Sequence, residues 1–479
     1  MRKLCITIGL FSLISSSYAQ NHGTGDNVWS LQRCVQYAIE HNISIKQNVL
    51  NADQAEAALK QSRLSQLPAV SVNGSYGKSL GRSINPTTNQ FVDAGYNFLS
   101  ASGNGSLLLF GWMQVRNTID KNKYTLQASL ADLDQLKDDV SLNVATSFLV
   151  AVLSKEQITI SNNQVALSKA QLGQTRAFAE AGRLPELNVA QLEAQLASDS
   201  ANLINAIANF NANILDLKTL LNLDFAEPFA IQVPDVEPGD QVTTTTTLPE
   251  EIFDKARMRF GAIKASQLRV EAARKGVAAA RGNLYPQLSL GYQVGTNYAS
   301  NYQTVSSFTQ NGFSPIGVAD TVLLTPVYQP NIVPVLANIP FNDQFNNNIR
   351  HSVYLNLNVP ILNGWQSRYA IRQASINLAS QQLNEYNAAL TLRQNVYKAH
   401  NNAVNAIQKY NAAKRADDAA RRALDFAQKR YDLGLTSTVD LLVIQNNAFT
   451  AASNLAIGKY DLIFKLKVID YYLGKQLKL

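Results

Sequence analysis

Between Trp365 and Leu433 the chain runs 69 residues without a glycine or a proline, and Gly364 and Gly434 bound that run. Proline breaks helices most strongly and glycine next, so a clean stretch bounded by glycines predicts one continuous helix. Ile376, Leu383, Leu390, Tyr397 and Val404 recur every seven residues, the spacing of a coiled-coil seam. At the rise of an α-helix such a rod is roughly 100 Å long. Ordinary globular helices run ~8–20 residues, so the function has to account for the length of this one.

Length alone would suggest about three domains, but a long rod weakens that inference. Of the 479 residues, 46% are hydrophobic and 16% charged, with a net charge of +7. Residues 1–19 read as a secretory signal peptide. Arg2 and Lys3 form its basic start, Leu4 to Ile14 its apolar core, and Ser17-Tyr18-Ala19 its small-residue cleavage site before Gln20. Its loss removes two basic residues and no acid, leaving +5, which gives no reason to invoke nucleic acid. Cys5 leaves with it, and Cys34 remains without an internal disulfide partner. Beyond the leader no run approaches the ~18 apolar residues of a membrane helix. An exported chain of this kind is soluble or crosses a membrane as strands.

The mature sequence repeats its landmarks in order. Leu67-Pro68 and Tyr285-Pro286 each end a helical run. Phe110-Gly111-Trp112 and Asn363-Gly364-Trp365 each open a long helix, and Ala181-Gly182-Arg183 and Leu433-Gly434-Leu435 each close one. A matched order of landmarks points to an internal duplication. Repeat 1 is expected over 20–223, repeat 2 over 248–479, and a proline- and threonine-rich linker over 224–247. In repeat 1 the reading is a helix over Ser30–Gln66 with a break near His41-Asn42, strands at about 69–80 and 98–110, a long helix over 112–181 and a return helix over 186–222. In repeat 2 it is a helix over Pro249–Leu284, strands at about 286–298 and 351–361, a long helix over 365–433 and a return helix over 437–473. Pro185 suits the first position of one return helix, and Thr436 to Thr438 offer hydroxyl caps to the other.

Two short helices laid end to end match one long helix, which makes a narrow bundle. The helices are rich in Ala, Asn, Gln and Ser, and their apolar stripes are thin. On helices alone a solid coiled-coil rod is the simpler reading, although such polarity also suits helices wetted on more than one side. The strands favour the second. Leu288, Leu290, Tyr292, Val294, Thr296 and Tyr298 alternate with Ser289, Gly291, Gln293, Gly295 and Asn297. Val353, Leu355, Leu357 and Val359 alternate with Tyr354, Asn356 and Asn358, and Val70 and Val72 with Ser71 and Asn73. Gly103 and Gly105 blur the pattern before Leu107. Such segments suit a barrel wall with lipid outside and water inside, and equally a half-buried soluble sheet. Four strands cannot close a membrane barrel, since the smallest use about eight, so a barrel would be shared among chains. Residues 299–350, rich in Asn, Gln, Ser, Thr and Pro, are expected to form a long extracellular loop.

Catalytic signatures are lacking. There is no phosphate-binding glycine loop and no nucleophile elbow, and His22, His41, His351 and His400 lack metal-ligand spacing. Asp138-Asp139 and Asp417-Asp418 lie within long helices and read as solvated faces. No cofactor and no enzyme activity are expected.

The order of helix, strand pair, very long helix, glycine turn and return helix, run twice after a leader, resembles the TolC-like outer-membrane efflux proteins. The most specific pieces are Tyr431 to Leu442 with its twin Ala181 to Leu187, and the leucine–proline approaches at Leu64 to Val70 and Leu284 to Leu288. The resemblance implies a mostly α protein with a small membrane β-barrel. Three chains would share twelve strands on a periplasmic α-helical barrel. It implies a passive duct in the outer-membrane lipid, a homotrimer serving a tripartite efflux pump or a type I secretion system, with an inner-membrane pump and a periplasmic adaptor as partners. Adaptor docking is implied at Gly182, Arg183, Leu184, Gly434, Leu435 and Thr436. A periplasmic gate is implied at Tyr431 and Asp440. Val443 and Asn188 stand where the family has further acids, and Thr436 where it has a base, which argues against a strongly charged gate. Asp440 also suits the first turn of its helix. The alternative function is a periplasmic coiled-coil scaffold or adaptor without a pore.

Overall fold

A computed structural model describes residues 28–84, 89–93, 95–233 and 247–475. The expected leader, Cys5, His22 and most of the expected linker lie outside the described residues. In chain order the elements are β1 (Val28–Trp29), α1 (Leu31–His41), α2 (Ile43–Leu64), β2 (Ala69–Ser79), β3 (Arg82–Ile84), β4 (Phe91–Asp93), β5 (Tyr96–Phe110), α3 (Gln114–Glu180), α4 (Glu186–Leu221), β6 (Ala230–Ile231), α5 (Pro249–Arg259), α6 (Gly261–Gly282), β7 (Gln287–Ala299), β8 (Gln303–Val318), β9 (Pro326–Asn338), α7 (Phe341–Asn347), β10 (Arg350–Asn358), α8 (Gln366–Asp432) and α9 (Thr438–Leu473). The helices α3 and α8 each have 67 residues, and α4 and α9 each have 36. Two compact units emerge. One holds residues 28–49, 133–233, 247–261 and 389–475, and the other holds 50–132 and 262–388.

The first unit is helical and carries the apolar core. Phe148, Val144 and Val152 of α3 pack with Cys34 and Ala38 of α1, Leu217 and Leu221 of α4 and Ile463 of α9. The short parallel pair β1–β6 matches Trp29 with Ile231 and fastens the start of α1 beside the segment after α4. Asn42 separates α1 from α2 with φ −61° and ψ 130°. Its Oδ1 accepts from Ser44 and Ile45, and its Nδ2 donates to the Leu220 carbonyl, so the break is a capped turn. In the second repeat the expected single helix over 249–284 is instead α5 and α6, parted by Phe260 at φ −63° and ψ 122°. Its ring packs against Tyr471 and Tyr472 of α9. A half-buried aromatic anchor thus overrides local helix propensity, which is a weak prior.

The second unit holds an antiparallel four-stranded sheet in the order β10-β7-β5-β2. Its register puts Val353, Leu355 and Leu357 opposite Tyr292, Leu290 and Leu288. It puts Leu99, Ala101, Gly103, Gly105 and Leu107 opposite Tyr298, Thr296, Val294, Tyr292 and Leu290. Tyr76, Val72 and Val70 complete the same face. The other face carries Ser71, Asn73, Ser102, Asn104, Gln293, Asn297, Ser352 and Asn356. Gly103 therefore sits on the apolar face, where a Cβ would meet Val294 at 3.0 Å. Gly291 leaves room for the Tyr354 ring, which an added Cβ would strike at 2.4 Å.

Residues 299–350, expected as a long extracellular loop, are largely ordered into secondary structure. They contain the hairpin β8–β9 and the short helix α7. The expected solvation of Asp417 is also corrected. It is 2% exposed and pairs with Arg421 at 2.6 Å.

Lys218, 4% exposed, closes α4 by donating from Nζ to the carbonyls of Asp224, Phe225 and Glu227. A cation suits that helix end. Lys218→Met is expected to strand these carbonyls and cost on the order of 3 kcal/mol, read as a lower thermal or urea midpoint.

Candidate functional site

Both long helices end in the same backbone device. Gly182 has φ +73° and Gly434 φ +72°. Arg183 N donates to Phe178 O and Gly182 N to Ala179 O. Leu435 N donates to Arg430 O and Gly434 N to Tyr431 O. Each turn is a Schellman closure, whose left-handed residue favours glycine. Pro185 is the N-cap of α4 rather than its first helical residue. Ser437 is the N-cap of α9: its Oγ accepts from Asp440 N at 3.1 Å and donates to Asp440 Oδ2 at 2.7 Å. Asp440 is exposed and helps start its own helix.

The turns carry exposed apolar residues, among them Leu187, Leu433, Leu435, Val439 and Val443. Gly182, Arg183 and Gly434 are exposed, whereas Leu184 and Thr436 are partly covered. Leu184 packs with Tyr431, Leu441 and Ala427. The Arg183 guanidinium lies 4.5 Å from the Phe178 ring centre. A crevice of about 480 Å³ between α3 and α4 is lined by Glu180, Glu186, Glu193 and Arg176, so it is net acidic.

Tyr431 is 3% exposed. Its hydroxyl lies 2.7 Å from Thr175 Oγ1 and 3.3 Å from Thr438 Oγ1, joining α8 to α3 and α9. Tyr431 and Asp440 therefore do not meet in one cluster; Tyr431 is interior and Asp440 is turned to solvent. Sequence reasoning missed the other members of this polar layer. Gln171 donates to Gln428 at 2.7 Å and Gln174 to Asp432 at 3.0 Å. Gln445 donates to Ser168 Oγ, which donates to Asp199. Asp199 also accepts from Gln164 and Gln195. The signal was present: Gln164, Ser168, Gln171 and Thr175 recur at helical spacing, polar residues where a core stripe would be apolar. Gln171 Oε1 and Gln445 Oε1 are buried without a partner among the described residues. Unpaired buried acceptors are costly, so this seam is weaker than an apolar one of equal size.

The model of the family "Outer membrane efflux protein" matches residues 34–223 and 253–474, and the chain belongs to that family. It is 22% identical to the outer membrane protein TolC of Vibrio cholerae over 98% of this chain and 94% of that protein. Against TolC of Escherichia coli it is 22% identical over 99% and 87%. The solved structure of CusC superposes with a TM-score of 0.73 at 16% identity, covering 93% of this chain and 92% of that one. The protein is thus an outer-membrane efflux channel with a long periplasmic extension.

The Thr175–Tyr431 contact gives a direct test. Tyr431→Phe and Thr175→Val are each expected to lower stability by about 1 kcal/mol, and the double variant by about the same amount as either one. A thermal-melt double-mutant cycle measures this, and full additivity would contradict it.

Proposed function

We propose that three copies of this chain assemble into a passive export duct for a tripartite efflux pump or a type I secretion system. Each copy contributes four strands to a twelve-stranded barrel in the outer membrane and its long helices to a periplasmic tunnel. An inner-membrane pump supplies the energy. A periplasmic adaptor docks at the turns of Gly182, Arg183 and Leu184 and of Gly434, Leu435 and Thr436, where exposed leucines and valines flank an acidic crevice. Tyr431 belongs to the gate as a neutral latch, and Asp440 as an exposed charge at the lumen.

The observation that carries this reading is the open sheet. β2 and β10 are edges without partners among the described residues, and the sheet they bound is apolar on one face and polar on the other. In lipid every backbone N–H and C=O must be paired within protein, which an open sheet cannot achieve and a closed barrel can. Two further features support sister copies in lipid. Ile376, Leu383 and Leu390 of the heptad seam are 56%, 69% and 53% exposed in the single chain, so that seam awaits a partner. Trp112 stacks on Tyr285 at 4.4 Å where β5 gives way to α3, and Trp365 stands before α8, in keeping with an aromatic belt at a membrane boundary.

Purified protein should run as a detergent-stable trimer on unheated gels and conduct in planar bilayers. A non-conducting soluble monomer would instead fit the pore-free scaffold. Asp440→Asn should weaken cation selectivity and block by multivalent cations, and unchanged conductance would leave Asp440 only a helix-start residue. Protease added to intact cells should cut within 299–350, and protection there would reverse the orientation.

A further inference from the structure

The hairpin β8–β9 has no role in the duct as described. Its pairing holds three irregularities, between Val305 and Ser307, between Gln310 and Phe313, and between Pro315 and Gly317, while β9 stays regular across the first and last. Bulges change which residues share a face, and here they sort the hairpin. Opposed pairs share a face. Leu336, Pro334, Pro330, Tyr328 and Pro326 oppose Val305, Phe308, Phe313, Pro315 and Val318, and Gln310, opposite Ile332, is the polar exception. The other face pairs Thr304, Ser307, Thr309 and Ser314 with Ala337, Val335, Val333 and Gln329.

This apolar face is bare. Phe308 is 69% exposed, Phe313 63%, Tyr328 56% and Ile332 61%. At strand spacings it measures on the order of 400 Å², the size of the largest apolar patch on a typical water-facing surface, which is often a functional one. A lone two-stranded hairpin is marginal in water. Yet its root is firm. Gln344 of α7, 2% exposed, accepts from Ala299 N and donates to Ala299 O and Ile339 O. Asn348 donates to Asn297 O, and Thr296 to Phe345 O.

We infer that the apolar hairpin faces of three sister chains pack against one another and clasp the outer mouth of the duct. This rests on the trimeric reading above. Strand addition at the β9 edge is disfavoured. Pro326, Pro330 and Pro334 lie at even spacing on a regular strand, so every second outward position of that edge lacks a donor. Association therefore uses the face. Residues 303–338 carry a single charge, Asp320, at the hairpin turn. Copies thus meet without repulsion, and no lysine or arginine is present to hold lipid phosphates. The open edges of β2 and β10 call for sister chains around one barrel, and the hairpin follows directly from β7 of that sheet. The face is about half the ~800 Å² per partner of a standard interface, so the clasp closes only on an assembled trimer and can open. A dry apolar constriction of this kind gates by excluding water.

The test uses the full trimer in liposomes. Burial pushes the Cys34 thiol up to about 12, which keeps it silent toward maleimides. A trifunctional maleimide should link Phe308→Cys into covalent trimers at least about tenfold better than Thr309→Cys, because the effective concentration is high only on the clasped face. Phe313→Trp should show no added quenching by brominated phospholipid over wild type. Equal linking at both positions, or none at either while the unheated gel still shows a trimer, overturns the clasp and leaves the duct standing. Quenching by brominated lipid overturns it in favour of a membrane surface. A wild-type chain that forms no trimer overturns both.

Discussion

A sheet edge in hydrocarbon has nowhere to send its N–H and C=O groups. In the proposed barrel that constraint governs this chain more than any single contact. The four strands β2, β5, β7 and β10 pair fully with one another and leave two edges. Most apolar residues gather on one face and most polar residues on the other, with Phe98, Leu108 and Tyr354 as exceptions and one register shift between Leu108 and Phe110, and a slip by one residue would turn the apolar set to the wrong face. The sheet is well specified and incomplete, and the proposed sharing among copies follows from those two properties together. Glycine serves the same surface: Gly103 leaves space beside Val294, and Gly291 beside Tyr354.

The helical unit shows two kinds of interior. Around Phe148 the packing is apolar and closed. Toward Gly182 and Gly434 it becomes a ladder of amides, hydroxyls and one buried carboxylate, Asp199, held by three neutral donors. Burying polar groups is tolerable when they are bonded, and most are. The orphaned amide oxygens of Gln171, Gln191 and Gln445 are not. A contact of this chemistry fixes geometry while adding little net stability, which suits the latch proposed at Tyr431. Its lack of ion pairs across the seam also fits the sequence, where Val443, Asn188 and Thr436 replace charged residues expected by family resemblance.

The hairpin β8–β9 applies the same edge logic in the opposite sense. Here prolines discourage pairing along the β9 edge, and the apolar face carries the unsatisfied surface. An outer-membrane chain has to avoid joining strands with the wrong neighbour before the proposed barrel is made. A proline-blocked edge meets that need while leaving a face for later use.

Features that depend on near neighbours were legible in the order of residues alone. Absence of glycine and proline set the extent of α8, period-two alternation marked β7 and β10, and Gly182 and Gly434 marked the reversals. Each follows from the steric and hydrogen-bonding preferences of a few consecutive residues. Tertiary structure decided what depends on distant ones. Tyr431 finds Thr175, Phe260 interrupts a helix to reach Tyr471 and Tyr472, and β5 pairs with β7 across the two repeats. The apolar face within 299–350 was hidden for a related reason. Its bulges disturb the alternation along β8, and the face reappears once the opposed strand supplies the register. Local chemistry selects an element, but only packing selects its partner, because the free energy of a contact resides in both surfaces at once.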